Sequence, residues 1–215
     1  MSAASASRLE SLTAKVVVDF PEYEAPPPDP LELLRRWLAA AVAAGVTEPR
    51  ALALATADLA GRASTRIIAF TSISDHGVVF TTHSSSQKGR EMAANPWASG
   101  LLYWRELGQQ VSLAGPVRKL PDRDADEHWF ARPRGLHPMS VVSHQSDPMA
   151  DARAMLDDAE RLQAIGVPLP RPQRFAAYRL EPATIEFWSA SADRLHRRLR
   201  YDRVGDGWRT LRLQP

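Results

Sequence analysis

The sequence contains no cysteine. This absence excludes a disulfide framework and a thiol nucleophile, and the six histidines show no zinc-type spacing. No apolar run approaches the roughly 20 residues that a membrane-spanning helix needs. Residues 1–8 also lack the apolar core of a signal peptide. These absences predict a cytoplasmic protein that does not bind a membrane.

A large charge of one sign is missing too. The 27 lysines and arginines nearly balance the 25 aspartates and glutamates, which leaves a formal charge of only +2. Apart from one cluster at 194–203 the basic residues are scattered, so we expect no nucleic-acid partner. The nucleophile elbow, the phosphate loop of nucleotidases and the Rossmann glycine fingerprint are also absent.

The length of 215 residues and the 44% hydrophobic content suit one globular domain. Residues 1–28 are polar and end in three prolines, which is typical of an extended N-terminal arm, so we place the domain at 29–215. Asp29 and Pro30 form a helix start, with Asp29 as N-cap, and Gly45 ends that helix.

Short strands at hairpin spacing dominate the rest of the chain. Turn residues at 58–61 and 75–77 separate predicted strands, and the pattern favours an antiparallel barrel or sandwich with peripheral helices. The predicted strands are 51–56, 64–70, 78–82, 97–105, 109–119, 175–180, 183–188 and 208–213. Helices are predicted near 87–94, 121–131 and 151–165.

The stretch 80–110 carries the strongest chemical signal. Three serines, 84–86, lie between a strand and a helix that begins near Gln87 and Lys88. Hydroxyls, backbone N–H groups and a lysine at a helix start can bind a phosphate-sized anion. The alternative is a capped surface helix, since serine before a helix is common for capping alone.

Two further groups fit an anionic, planar ligand. Arg66 lies in a strand among apolar neighbours, so it either points to solvent or, if buried, requires an anionic partner. Gln109 and Gln110 open a strand, where they are either surface residues or amides that pair with an oxidised ring carbonyl. From the residues alone we therefore predict a small β-barrel that holds a phosphate-bearing planar ligand.

Several motifs together resemble the pyridoxamine phosphate oxidase family, in the same order along nearly the whole chain. They are Arg66-Ile-Ile68, Ser86-Gln-Lys88, Asn95-Pro96, Gln110, Arg132-Pro133, Gln145-Ser146, Glu186-Phe-Trp188 and 194–198. This resemblance implies a mainly β fold with α, the FMN-binding split β-barrel, which is a homodimer with FMN at its interface.

The resemblance also implies the cofactor residues. Arg66, Lys88 and Thr82 would hold the FMN phosphate, joined by Gln145 and Ser146 from the other subunit. Gln110, Trp188 and Arg198 would surround the flavin ring. An arginine that the family often carries before the lysine is Gln87 here. The full implied set is Arg66, Ile67, Ile68, Thr81, Thr82, Gln87, Lys88, Gln110, Gln145, Ser146, Trp188 and Arg198.

The substrate positions depart from the vitamin oxidases of the family. Where those enzymes have a lysine, a tyrosine, an arginine and a serine for the substrate phosphate, this chain has Thr71, His128, Arg132 and Leu136. Losing a cation and a hydroxyl weakens binding of a dianion. Arg194 and His196, which face the substrate ring in the family, are retained. We therefore expect a flatter and more apolar substrate.

Together with the motifs at 77–83, 86–90, 95–100, 102–105 and 137–140, this pattern resembles the phenazine-biosynthesis branch of the family. Enzymes of that branch oxidise partly reduced tricyclic phenazine carboxylates. It implies an FMN-dependent oxidase that uses O2 and forms peroxide, with no obligatory catalytic side chain and with His196 as a proton shuttle. One alternative is a pyridoxamine 5'-phosphate oxidase with a relaxed pocket. Another is a non-catalytic flavin- or haem-binding split-barrel protein.

Overall fold

The computed structural model describes residues 18–215, so most of the predicted arm lies outside the described residues. Nine strands form one antiparallel sheet: β1 (Ala51–Ala57), β2 (Ala63–Ser74), β3 (Gly77–His83), β4 (Trp97–Trp104), β5 (Gln109–Lys119), β6 (Phe175–Leu180), β7 (Thr184–Ser189), β8 (Arg197–Val204) and β9 (Gly207–Leu213). The helices are α1 (Pro30–Ala43), α2 (Gln87–Ala94), α3 (Asp122–Ala131), α4 (His137–Val142) and α5 (Ala152–Ala164).

Six of the strands close into a barrel. They follow the order β4-β1-β2-β3-β6-β5, and β5 pairs with β4 again, which completes the ring. Strands β7, β8 and β9 continue the sheet from β5 outside this ring. The prediction of an antiparallel barrel with peripheral helices is confirmed.

Helix α1 packs its apolar stripe against the barrel core. The Asp29 carboxylate caps it by accepting from the Leu31 N–H at 2.9 Å, as the Asp-Pro pair predicted. Leu33 and Leu34 are fully buried, and the Trp37 ring meets the Phe187 ring edge-on at 5.1 Å. The helix therefore fills the barrel interior with side chains rather than leaving a channel there.

The described end of the arm packs on the barrel. Phe20 is buried and lies 4.9 Å from the Trp37 ring, and the Tyr201 hydroxyl donates to the Pro27 carbonyl at 3.1 Å. Residues 20–28 are thus held by both α1 and β8. The domain boundary at residue 29 stays a prediction, because 1–17 lie outside the described part.

Two elements were missing from the sequence prediction. The basic cluster at 194–203 is largely strand β8, in which arginines alternate with the buried Leu199 and Tyr201. Its period-2 pattern was masked by the many charged residues on its other face. Helix α4 is only six residues long, which is too short for a periodic pattern to predict it.

The outward face of the sheet is continuous from β2 to β8. Ile67 pairs with Ala53, and Ala53 pairs with Leu101 on β4. Two residues further along β4, on the same face, Tyr103 pairs with Gln110, and this row continues to two predicted site residues, Trp188 and Arg198. Ile67, Leu101 and Tyr103 are all exposed. Within 18–215 no helix is long and apolar enough to cross a membrane.

Candidate functional site

A cavity of about 890 Å³ lies between the barrel and helices α2 and α3. Most of the predicted cofactor and substrate residues line it. They are Arg66, Ile67, Ile68, Thr71, Thr81, Thr82, Lys88, His128, Arg132, Leu136, Gln145 and Ser146. None of the described aspartates and glutamates is among its lining residues, whereas four cations are. Its chemistry therefore suits an anionic ligand.

Lys88, Thr82 and Gln145 form a polar group at one end of this cavity. The Lys88 ammonium donates to the Thr82 hydroxyl at 3.0 Å, and that hydroxyl donates to the Gln145 side-chain carbonyl at 3.1 Å. Burial lowers the pKa of Lys88, and the nearby Arg66 lowers it further. Two cations this close are stabilised by an anion between them.

The start of helix α2 is capped by a serine, as one of the two interpretations of the serine-rich turn predicts. The Ser86 hydroxyl accepts from the Gly89 N–H at 3.2 Å, so this residue is the N-cap. The Gln87 N–H donates to Ser146 at 3.0 Å within the same chain. Gln145 and Ser146 therefore reach this site from the same subunit, whereas the resemblance implied the other one. The Gln87 side-chain amide donates to Glu91 at 2.9 Å. The Gln87 side-chain amide therefore already has a hydrogen-bond partner within the protein.

Arg66 points inward and has an anionic partner in Glu91. Its Nη2 lies 3.4 Å from the Glu91 Oε2, and it also donates to the hydroxyls of Thr56 at 2.6 Å and Ser64 at 2.5 Å. Both hydroxyls in turn donate to the Glu91 carboxylate. The guanidinium is thus fixed by a network behind the cavity wall.

Sequence reasoning missed Glu91. Burial alone would raise the pKa of its carboxyl, but hydrogen bonds from Thr56, Ser64 and Gln87 and the charge of Arg66 bring the pKa down to about 2. Glu91 is therefore an anion at neutral pH. A buried arginine such as Arg66 requires an anionic partner. The acidic residue of the predicted helix near 87–94 was therefore a candidate for that partner.

Four of the six predicted substrate residues, all except Arg194 and His196, line the other end of the cavity. The Thr71 hydroxyl donates to the Val79 carbonyl at 3.0 Å, so it is turned into the sheet. Arg132 lies over the Phe175 ring at 5.8 Å, and burial lowers its pKa. Leu136 is 49% exposed and adds an apolar rim beside His128. Among the predicted residues at this end, Arg132 supplies a held cation and Leu136 supplies apolar surface.

His83 was not predicted and lies in the wall of the same cavity. It is 1% exposed, and neither ring nitrogen has a hydrogen-bond partner among the described residues. Burial, then the charges of Arg174, Lys88, His144 and Arg132, lower its pKa to about 4. The ring is therefore neutral at physiological pH, which is consistent with a site that already holds several cations.

The remaining predicted residues lie on the outward face of the sheet. Gln110, Trp188 and Arg198 line a smaller cavity of about 190 Å³ together with Pro215. Arg198 forms a bidentate ion pair with Glu186, at 2.7 and 3.1 Å. Within this chain these three residues are thus separate from the larger cavity.

Arg194 and His196 lie in the loop that precedes β8. The His196 ring lies 4.8 Å from the Trp188 ring, and its Nδ1 accepts from the Ser191 N–H at 3.1 Å. Arg194 has a positive φ of 65°, a conformation that few non-glycine residues adopt. The loop therefore holds His196 beside Trp188, on the same outward face as Gln110.

The arrangement fits the phosphate of a flavin nucleotide. Lys88 and Arg66 converge on one end of the cavity, while the single buried carboxylate there, Glu91, offsets one of the two charges. Thr82, Gln145 and Ser146 add a hydroxyl, an amide and a second hydroxyl to the wall. A phosphate-sized anion would complete this set of donors.

Comparison with known proteins agrees with this geometry. The chain matches the family "Pyridoxamine 5'-phosphate oxidase" over residues 38–166 and the "Pyridoxine 5'-phosphate oxidase C-terminal dimerisation region" over residues 175–215. A dihydrophenazinedicarboxylate synthase from Burkholderia lata is 57% identical over 209 residues, which cover 97% of this chain and 99% of that protein.

A vitamin oxidase and a solved structure are also similar over most of their length. A pyridoxine/pyridoxamine 5'-phosphate oxidase from Rubrobacter xylanophilus is 40% identical over 193 residues, which cover 87% of this chain and 88% of that protein. The crystal structure of PhzG from Burkholderia lata in complex with tetrahydrophenazine-1-carboxylic acid superposes with a TM-score of 0.92 at 56% identity, covering 94% of this chain and 100% of that one.

Proposed function

This chain belongs to the pyridoxamine 5'-phosphate oxidase family, and from that premise we propose that it is an FMN-dependent oxidase of partly reduced phenazine carboxylates. The observation that carries the proposal is the composition of the 890 Å³ cavity. One end gathers donors for a phosphate, and the other combines Arg132 with the apolar side chain of Leu136. The similarity to a phenazine-type synthase at 57% identity supports the same substrate class.

In this proposal Lys88, Thr82, Arg66, Gln145 and Ser146 hold the FMN phosphate. The Lys88 ammonium is already held at this end of the cavity by its hydrogen bond to Thr82 at 3.0 Å, so less side-chain entropy is lost when it binds an anion. Thr81, Ile67, Ile68 and the backbone of Gln87 lie beside them and complete the proposed cofactor wall. When bound, FMN supplies a two-electron oxidation with O2 as acceptor and H2O2 as product.

We further propose a homodimer in which the outward face of the sheet is the interface. Ile67, Leu101 and Tyr103 leave this face apolar and exposed, and the chain matches a dimerisation region over 175–215. A second copy packed there would bring its own Gln110, Trp188 and Arg198 to the cavity. This would reunite the two groups of predicted residues that one chain keeps apart.

The substrate residues would then act by charge and shape. Arg132, held against Phe175, pairs with a carboxylate, and Leu136 covers the apolar ring system. Thr71 and His128 contribute to the wall, and Arg194 and His196 approach from the interface. His196, whose Nδ1 accepts from a backbone N–H, has its other ring nitrogen available to move a proton. No side-chain base is required, because the gain of aromaticity drives the oxidation.

The test is an absorption spectrum followed by anaerobic reduction. The purified protein, reconstituted with FMN, should show the two visible flavin bands and lose them on addition of tetrahydrophenazine-1-carboxylic acid. Bleaching by pyridoxamine 5'-phosphate and not by the reduced phenazine acid would assign the protein to the vitamin oxidases. A sharp Soret band, or no uptake of FMN, would overturn the flavin assignment itself.

A vitamin oxidase is the second candidate, and Arg132 together with the 40% identity to such an enzyme favours it. The rest of the substrate end argues against a phosphorylated vitamer. The Thr71 hydroxyl is bound to the Val79 carbonyl, and Leu136 offers no donor. Of the four positions compared with the vitamin oxidases, only Arg132 would therefore offer a charged hydrogen bond to a substrate phosphate.

A further inference from the structure

Arg50 lies at the substrate end of the large cavity and was not singled out by any sequence pattern. It directly precedes β1, and its carbonyl accepts from the Phe70 N–H at 3.2 Å. Its Nη1 donates to the Thr71 carbonyl at 3.0 Å. The side chain is therefore held across the end of β2, at the position where the Thr71 hydroxyl is turned away from the cavity.

The charges around the cavity do not balance at this end. Four cations line it: Arg50, Arg66, Lys88 and Arg132. Glu91 pairs with Arg66, and the proposed phosphate would face Arg66 and Lys88. In the described part of the chain neither Arg50 nor Arg132 forms a salt bridge with a carboxylate. Two cations thus remain for a ligand.

The guanidinium of Arg50 can still donate to a carboxylate. Only its Nη1 has a partner among residues 18–215, so Nη2 and Nε are free. A guanidinium offers its N–H groups in a planar fork that matches the two oxygens of a carboxylate. Because the Thr71 carbonyl fixes one edge of that fork, less side-chain entropy is lost on binding.

We propose that Arg50 binds a carboxylate of the substrate at the mouth of the cavity and thereby selects acidic tricyclic substrates over neutral ones. This inference rests on the proposed function, since it assumes that the phosphate end is taken by the cofactor. Arg132 pairs with the same carboxylate or, for a dicarboxylate, with the second one. Arg50 is a specificity residue and takes no part in electron or proton transfer.

The test compares two ligands that differ only in charge. Calorimetry would measure binding of phenazine-1-carboxylate and of the neutral phenazine-1-carboxamide to wild type, Arg50→Gln and Arg50→Lys. We expect wild type to prefer the acid and Arg50→Gln to lose about tenfold in affinity for the acid and little for the amide. Arg50→Lys should recover part of the loss, because it restores the charge without the fork.

Arg105→Gln is the matched control. Arg105 is also an exposed arginine, in the turn between β4 and β5, and it does not line the cavity. The Arg105→Gln variant should bind phenazine-1-carboxylate with the affinity of wild type. Equal losses for acid and amide in Arg50→Gln, or no loss relative to Arg105→Gln, would overturn the proposal. So would a wild-type protein without preference for the acid.

The same variants separate this inference from the proposed function. If Arg50→Gln takes up FMN and oxidises tetrahydrophenazine-1-carboxylic acid with an unchanged KM, the oxidase assignment stands and the role of Arg50 is wrong. If wild type takes up no FMN, the proposed function is wrong whatever Arg50 does in the binding assay. The role of Arg50 predicts a raised KM with kcat nearly unchanged.

Discussion

The Glu91 carboxylate lies 3.4 Å from the Arg66 guanidinium, and the hydroxyls of Thr56 and Ser64 join the two by accepting from one and donating to the other. This network lies directly behind the proposed phosphate site. It holds Arg66 in place without a ligand, and it supplies one negative charge next to Lys88.

Replacing Glu91 with glutamine should therefore destabilise the protein. Removing one partner of a buried ion pair leaves the other charge uncompensated, so we expect a loss of about 3 kcal/mol at pH 7. Since the pKa of Glu91 is depressed to about 2, its stabilisation is complete above about pH 4.5 and is lost as the pH falls toward 2.

Urea unfolding at pH 7, 4 and 2.5 would measure this difference. The gap between wild type and Glu91→Gln should be constant down to about pH 4.5 and then narrow. Glu160→Gln, which changes an exposed glutamate on α5, serves as the control and should have little effect at any pH. A gap that stays the same at pH 2.5 would show that Glu91 acts through packing and not through charge.

Lys88→Met should weaken FMN binding through the phosphate alone. A charged hydrogen bond contributes roughly 1.5–3 kcal/mol, so we expect a tenfold to hundredfold rise in Kd for FMN. Riboflavin lacks the phosphate, and its Kd should not change. Fluorescence titration with both flavins measures this, and Lys119→Met, an exposed lysine on β5, is the matched control. Equal weakening of both flavins would argue against a phosphate contact.

His83 should make the protein sensitive to acid. Its pKa is about 4 in the folded chain and near 6.5 in the unfolded one, so its contribution is present above pH 6.5 and is lost as the pH falls through 4. Up to about 3 kcal/mol of stability would be lost over this range. His83→Gln should flatten the dependence in thermal melts between pH 7 and 4, whereas His76→Gln, at an exposed turn, should not.

Leu101→Arg should disrupt the proposed dimer. Leu101 is exposed and lies in the row that runs from Ile67 through Ala53 to β4. Burying an unpaired arginine in an interface is costly, so light scattering should give about half the wild-type mass. The variant should also lose FMN, because the two groups of site residues would separate. Leu156→Arg, on the exposed side of α5, should remain a dimer that binds FMN.

The sequence pattern was sufficient for elements whose signals are local. The Asp29-Pro30 helix start and the turn at 58–61 depend on nearby residues, and both are where the pattern placed them. The candidate site was predicted mainly from the resemblance to the family. Most of the residues that this resemblance implies line one cavity.

Other features depend on residues that are distant in the chain. Glu91 and Arg66 are 25 residues apart in the chain. Their pairing follows only from the contact between α2 and β2, which the sequence pattern does not predict. Arg50 looked like an ordinary charged residue before a strand, and its place in the cavity follows from the pairing of β1 with β2. Strand β8 was not predicted, because the many arginines on its exposed face obscured the alternation with its buried residues.

The last residues of the chain lie beside the proposed flavin-ring residues. The Gln214 carbonyl accepts from Arg198 at 3.0 Å, and Pro215 lines the cavity that holds Trp188 and Gln110. Any purification tag or fluorescent protein fused after Pro215 would begin within this pocket and compete with whatever docks there. Fusions intended for activity or assembly measurements therefore belong at the other end of the polypeptide.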